Sequence, residues 1–127
     1  MEKVVRNICL DSDSIIELLN GNKTVIGLID SLEADFYTTV INVFEIWTGR
    51  KDEENISELL EWTNIVEFNK EAAMLAGDIR KELRKKGLDI DIRDLFIASI
   101  CIINKLDLLT YNKKHFERLE SFGLKLI

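Results

Sequence analysis

The 127-residue chain contains no proline, two cysteines and a single histidine, and each shortage narrows the class of protein. No proline-rich, low-complexity or repeated segment divides the sequence, so its length favours a single domain over residues 1–127. Cys9 and Cys101 both lie within apolar runs and lack the CxxC or Cys/His spacing of a zinc site. They are therefore expected to be buried, reduced thiols.

The sequence also lacks long apolar runs. No run approaches the roughly 20 apolar residues that span a bilayer, and the N-terminus lacks the pattern of a signal peptide. A cytoplasmic protein with no membrane partner is therefore expected.

An excess of positive charge is missing as well. The net charge of −6 argues against a protein whose only function is to bind nucleic acid. It leaves room for an enzyme whose acids surround a metal ion, because a bound divalent cation reverses the local field.

Short β-rich runs alternate with longer helical patterns along the whole chain. Strands are predicted at residues 4–10, 36–40, 63–68, 106–110 and 124–127. Helices are predicted at residues 12–20, 24–32, 41–49, 53–62, 70–86 and 91–104, with a short one from Lys113. This alternation is typical of an α/β domain, here a parallel five-stranded sheet flanked by helices.

In such sheets the working site lies beyond the carboxyl ends of the strands. The rule places Asp11, Asp13, the start of the 39–45 segment and residues 110–112 at one edge. In "ICLDSDSIIELLNG" (residues 8–21), Asp11 ends a buried strand, one residue early for a helix cap, where an unpaired carboxylate is costly. Ser12 and Asp13 either cap the following helix or contribute to the site, and the sequence leaves both interpretations open.

Three further acids begin or occupy predicted helices. Glu45 is the only charge in "VINVFEIW", where it lies either on a polar stripe or in a cleft. Asp91 is most simply an N-cap, and Asp94, three residues on, shares its face before a long apolar stretch. His115 beside Phe116 is expected to be a surface or half-packed residue. Acids gathered from distant segments repel one another unless a cation lies among them, and oxygen ligands suit Mg²⁺ or Mn²⁺.

At this point three segments, in order, resemble one family. "CLDSDSIIELLNG" resembles the "LDTNxLIxLL" opening of PIN-domain ribonucleases, and "TTVINVFEIWTG" is similar to their second acidic motif. "RDLFIASICIINKLDLLTYNKKHFERLESFGL" looks like the C-terminal third of VapC-type toxins. The resemblance implies a PIN-like fold and a metal-dependent endoribonuclease, held inactive by a VapB-type antitoxin. It also implies a homodimer.

The resemblance implies a role for each matching position. Asp11, Glu45 and Asp94 correspond to the acidic core, and Asn112 takes the fourth position, where an Asp is common and a neutral amide holds a second cation less well. Thr110 would steady the site, Thr39 ends the strand before the second motif, and Asp13 replaces a frequent Asn. Asp11 and Asp94 would bind Mg²⁺ or Mn²⁺ while Glu45 orients the water that attacks an RNA phosphodiester. The candidate RNA contacts are Arg93, Lys113 and Lys114.

Three alternatives remain at this stage. "LDSDS" is close to the DxDxT motif of haloacid-dehalogenase phosphohydrolases, with Ser14 in the Thr place, but "LLTYN" lacks their later acidic pair. A response-regulator-like phosphoacceptor would need an Asp after the third strand, where this chain has "VEFNK". A PIN-like interaction module without catalytic activity is the third alternative, and the retained acids argue against it.

Overall fold

The computed structural model describes residues 5–127, so Val4, where the first predicted strand begins, lies outside the described residues. The strands are β1 (Arg6–Leu10), β2 (Ala34–Thr39), β3 (Asn64–Val66), β4 (Asp107–Leu109) and β5 (Lys125–Leu126). The α-helices are α1 (Ser12–Leu19), α2 (Lys23–Ser31), α3 (Val40–Thr48), α4 (Glu53–Trp62), α5 (Lys70–Lys85), α6 (Ile92–Asn104) and α7 (Lys113–Phe116). A 3₁₀ helix, Glu117–Phe122, follows α7.

The five strands form one parallel sheet in the order β3-β2-β1-β4-β5, which confirms the predicted fold class. The central strand β1 pairs with β2 on one side and with β4 on the other, and Leu10 lies opposite Leu109. Because the strands are parallel, β1, β2 and β4 all end at the same edge. The segments that begin at Asp11, Val40 and Thr110 therefore start beside one another.

Side chains from β1 enter two hydrophobic clusters, one on each face of the sheet, because successive residues of a strand point to opposite faces. Ile8 and Leu10 pack with the cluster that contains Ile15 of α1. Cys9 packs with the other cluster, under α5 and α6. Both cysteines are free and buried, as predicted.

The predicted bounds of the strands and of the first six helices agree with the structure to within two residues, and the third strand is predicted at twice its observed length. The prediction of residues 63–68 is too long, because Thr63 is the C-cap of α4 and its N–H donates to the Leu59 carbonyl. At the other end, Phe68 leaves the sheet and its ring packs on Phe96, with the centroids 4.3 Å apart. Across residues 5–127, none of the helices combines the length and the apolar character that crossing a membrane requires.

Candidate active site

Asp11 lies at the junction of β1 and α1, and its backbone corrects one prediction. The Ile15 N–H already donates to the Asp11 carbonyl at 3.1 Å, so the first helical turn begins at Asp11. Asp11 is thus the N-cap of α1, and its Oδ1 accepts from the Ser12 N–H at 2.9 Å. The interpretation of Ser12 and Asp13 as caps is wrong. As the first residues of the helix, they direct their side chains toward other segments.

Asp11 is 6% exposed, and both of its carboxylate oxygens accept hydrogen bonds. Its Oδ1 also accepts from Asn42 Nδ2 at 3.0 Å, and its Oδ2 accepts from Thr110 Oγ1 at 2.7 Å. Burial, with a smaller contribution from the charges of Asp13 and Glu45, raises the pKa of Asp11 to about 6, although the hydrogen bonds from Thr110 and Ser12 lower it. A negative charge at this position is therefore costly in the protein without a bound cation.

Asn42 connects Thr39, Asp11 and Ser12 by hydrogen bonds, and the sequence analysis did not identify it as a site residue. It is completely buried in the first turn of α3, where Thr39 and Asn42 form a capping box. Its Oδ1 accepts from Thr39 Oγ1 at 2.7 Å, while its Nδ2 donates to Asp11 and, at 2.9 Å, to Ser12 Oγ. The spacing T-x-x-N was the available signal, since it is a variant of the capping-box pattern. Thr39 therefore contacts Asn42 beside Asp11, and its supporting role in the site stays a prediction.

Glu45 projects from α3 toward the same edge of the sheet. Its Oε1 accepts from Ser12 Oγ at 2.9 Å, so Asn42, Ser12 and Glu45 form a continuous chain of hydrogen bonds. Its Oε2 lies 3.7 Å from Arg93 Nη1, and its side chain is 23% exposed. The structure thus places Glu45 in a half-open cleft and not on a fully solvated stripe.

Asp94 enters the site from the first turn of α6. Asp91 is the N-cap of this helix, as predicted, and accepts from the Arg93 N–H at 2.9 Å. One Asp94 oxygen lies 3.6 Å from His115 Nδ1, a contact that is an ion pair only when the imidazole is protonated. Burial raises the pKa of Asp94, as do the charges of Asp91 and Glu45, whereas His115 and Arg93 lower it. His115 is exposed, as expected, but it faces an acid of the site.

Asp13 anchors the segment that follows β4. Its Oδ2 accepts from the Tyr111 N–H at 3.0 Å and lies 3.4 Å from Thr110 Oγ1. Thr110 Oγ1 in turn accepts from the Asn112 N–H at 3.0 Å. Thr110 and Asp13 therefore fix the strand end against α1, a role for Asp13 that the sequence did not indicate.

Asn112 itself is exposed, and within residues 5–127 its side-chain amide makes no hydrogen bond. It lines an open cleft with Thr110, Lys113 and Lys114, all beyond the end of β4. The structure therefore brings Asn112 to the correct edge without joining it to the acids. Its assignment to the fourth position stays a prediction.

The acids are close enough to influence one another's charge, but they do not form a closed cluster. In the described part of the chain, no group of three or more His, Cys, Asp or Glu side chains is arranged so that it could hold a metal ion. Glu45 and Asp94 each lie beside a basic side chain instead, Arg93 and His115 respectively. The fold and the site together define an α/β protein with buried and half-buried carboxylates at the carboxyl edge of a parallel sheet.

Comparisons with known proteins show which family of α/β proteins this chain belongs to. A family model described as PIN domain matches residues 8–121. Ribonuclease VapC1 from Methanocaldococcus jannaschii is 32% identical over 128 residues, which cover 99% of this chain and 90% of that protein. The chain therefore belongs to the PIN-domain family, and within that family to the VapC group.

Two solved structures share the fold across nearly the whole chain. The structure of VapBC2 from Rickettsia felis bound to a DNA fragment from their promoter matches with a TM-score of 0.81 and 27% identity, covering 95% of this chain and 97% of that chain. The structure of VapBC-1 from nontypeable Haemophilus influenzae matches with a TM-score of 0.80, covering 95% and 96% respectively. At 23% identity, the second match supports the fold alone.

Proposed function

We propose that this protein is a metal-dependent endoribonuclease, the toxin of a toxin–antitoxin pair. The observation that carries the proposal is the convergence of Asp11, Glu45 and Asp94 from β1, α3 and α6 on one edge of the sheet. Burial raises the pKa values of Asp11 and Asp94 there, and the charge of Glu45 raises both further above their ordinary values. The name of ribonuclease VapC1, which this chain resembles over its whole length, supports the same reaction class.

The donor set fits a hard divalent cation, although the acids are not yet gathered around one point. Asp11 Oδ2 accepts a single close hydrogen bond, at 2.7 Å from Thr110, and so retains an acceptor position. A cation between the acids would remove the repulsion that raises their pKa values. Asp11, Asp94 and Glu45 would hold Mg²⁺ or Mn²⁺, which supplies neutralisation of phosphate charge and a lowered pKa for water.

The side chains of the protein would orient the carboxylates, accept a proton and bind the RNA. Asn42 and Thr110 hold the Asp11 carboxylate in a fixed orientation, and Ser12 does the same for Glu45. Glu45 would orient the attacking water and accept its proton. Attack in line on the phosphodiester would leave a 3′-hydroxyl and a 5′-phosphate. Arg93 and the exposed pair Lys113 and Lys114 would contact the RNA backbone.

A VapB-type antitoxin is the proposed regulatory partner, because the matched structure from Rickettsia felis, at 27% identity, is described as VapBC2. A groove of about 420 Å³ between α1, α3 and α4 offers it a place. Ile16, Ile46 and Ile56 give the groove apolar walls, and Glu45 lies at its border. A peptide segment in this groove would reach the acidic site directly.

Three further properties belong to the proposal. Exposed apolar side chains on α2 and α3, such as Ile26 and Phe44, would supply the interface of a homodimer. Residues 1–127 would act as one domain, of which the family model covers residues 8–121. The reaction would take place in the cytoplasm, where the RNA substrate is found.

The test is cleavage of defined RNAs by the purified protein with Mg²⁺ or Mn²⁺ and with EDTA. Asp11→Asn and Asp94→Asn should each reduce cleavage to background while the circular dichroism spectrum is retained. Asp35→Asn, a change at an exposed position of β2, is the matched control and should cleave normally. Full activity in either site variant, or cleavage unaffected by EDTA, would contradict the metal-site assignment. Absence of cleavage alongside tight antitoxin binding would favour the interaction module.

A further inference from the structure

Tyr111 presents an aromatic ring at the edge of the acidic site. Its side chain is 54% exposed, although its neighbour Thr110 is buried and bonded to Asp11. The Tyr111 N–H donates to Asp13 Oδ2 at 3.0 Å, so the backbone that carries the ring is attached to α1. Because the backbone is fixed, little conformational entropy is lost when a flat ligand packs against the exposed ring.

The ring borders two clefts of different character. The first cleft, of about 700 Å³, has Leu28 of α2 and Ile127 as apolar walls and also contains Lys113 and Lys114. The second cleft, of about 450 Å³, is lined by Asp13, Glu17, Asn22 and Thr24. Tyr111 is therefore a wall of both clefts.

Charge selects between the two clefts. The chain carries a net charge of −6, yet the first cleft contributes two exposed lysines in succession against one carboxylate, that of Glu117. The second cleft presents two carboxylates, which repel phosphate groups. Flat apolar surface next to paired cations is the combination that binds a base together with its phosphate. The first cleft therefore suits a nucleotide, and Thr110 and Asn112 join it to the acidic site.

We propose that Tyr111 stacks on an unpaired nucleobase beside the scissile phosphate, in the cleft that it shares with Leu28 and Ile127. Lys113 and Lys114 then hold the adjoining backbone phosphate. A base inside a duplex is stacked on both faces and cannot enter, so the substrate segment is single-stranded RNA. The inference rests on the proposed function for the reaction, but stacking itself is a binding property that can be measured without cleavage.

The experiment places the fluorescent base 2-aminopurine at successive positions of single-stranded oligoribonucleotides. Binding is followed with the full-length Asp94→Asn protein and Mg²⁺, so that the RNA remains intact. Quenching at one position is expected for Tyr111 and for Tyr111→Phe, because both rings stack. Tyr111→Leu keeps apolar bulk without a ring and should lose that quenching, with a Kd about tenfold higher.

The two lysines give an independent measurement. Replacing both Lys113 and Lys114 by Ala should weaken binding to all RNA sequences. The slope of log Kd against the logarithm of the salt concentration should fall by about one to two. Lys81→Ala with Lys86→Ala, two exposed lysines of the α5 region, is the charge-matched control and should change neither quantity. If the loss of affinity in the Lys113 and Lys114 variant were confined to one RNA sequence, or if the control pair lost as much affinity, the two lysines would not be phosphate contacts.

The outcomes separate this inference from the proposed reaction. Tyr111-dependent quenching without any cleavage by the native protein would support the inference while the proposed function failed. The inference would be overturned, while the proposed function stood, if Tyr111→Leu cleaved RNA with the KM of the native protein and if 2-aminopurine were quenched as strongly by this variant as by the native ring. Equal cleavage of the same RNA as a duplex would also overturn it.

Discussion

The two sides of the acidic site are held together by different forces. Around Asp11, neutral donors form hydrogen bonds of 2.7 to 3.0 Å through the buried residues Asn42 and Thr110. Around Asp94, the contacts are charge contacts of 3.4 to 3.7 Å: Arg93 pairs with Glu45 and Asp91, and His115 lies beside Asp94. The side chains of Arg93 and His115 are more than half exposed. We refer to these sides as the buried half and the exposed half.

The difference shows how one small site combines order with adjustability. Hydrogen bonds among buried groups fix geometry strongly, because a broken one leaves an unsatisfied polar atom away from water. Exposed ion pairs contribute little and are screened by salt. The buried half therefore resembles a fixed support, whereas the exposed half can exchange Arg93 and His115 for other charges without loss of the fold.

The largest expected effect comes from ionisation in the buried half. Because the pKa of Asp11 is raised from 3.8 to about 6, the folded state binds the proton more tightly than the unfolded state does. The native protein should therefore lose stability as pH rises from 4 to 7, by about 2.5 kcal/mol from this group. Asp11→Asn cannot ionise, so urea denaturation should show that its stability relative to the native protein improves by that amount across this range.

The comparison between the variant and the native protein removes contributions from the other titrating groups. Asp35→Asn at an exposed position of β2 is the control, and its stability relative to the native protein should stay nearly constant. A difference between Asp11→Asn and the native protein that is the same at pH 4 and pH 7 would contradict a charge penalty at Asp11.

The next effect comes from removing the central amide of the buried half. Asn42→Ala deprives Asp11 of a donor and leaves the Thr39 N–H, 3.3 Å from the Asn42 side-chain oxygen, without its acceptor. Loss of about 2 kcal/mol in the free energy of unfolding is expected at pH 7, measured by urea denaturation. Asn55→Ala removes an exposed Asn that also follows an N-cap, and it should cost less than about 1 kcal/mol. Equal losses in the two variants would show that Asn42 does not organise the site.

The sequence predicts the parallel sheet and the edge where the acids gather, because both follow from local patterns. Alternating strands and helices define the topology, and strand ends in a parallel sheet share an edge. Asp11 stands out for the same reason, since it directly follows a buried strand. The family resemblance added Asn112, whose role remains a prediction.

The connections between segments could not be predicted in this way. Asn42 was recognisable as part of a cap, but its donation to Asp11 depends on how α3 meets β1 in three dimensions. Asp13 has its partner at Tyr111, 98 residues along the chain, and no local pattern records that pairing. The cap of α1 could not be located in this way because Asp11 directly follows β1: its N–H still donates to Leu109 of β4, while its carbonyl already accepts from the Ile15 N–H of α1.

The smallest expected effect tests the exposed half directly. A double-mutant cycle on Asp94 and His115, with each residue changed to Ala, should give a coupling energy of about 0.5 kcal/mol or less, because solvent screens the 3.6 Å contact. The matched cycle on Asp11 and Asn42 should give at least about 1 kcal/mol, because that hydrogen bond is buried and one partner is charged. Addition of 0.5 M NaCl, which shortens the screening length to about 4 Å, should abolish the first coupling and leave most of the second. Comparable couplings that respond equally to salt would mean that the two halves are held alike, and the division between a fixed and an adjustable side of the site would have to be abandoned.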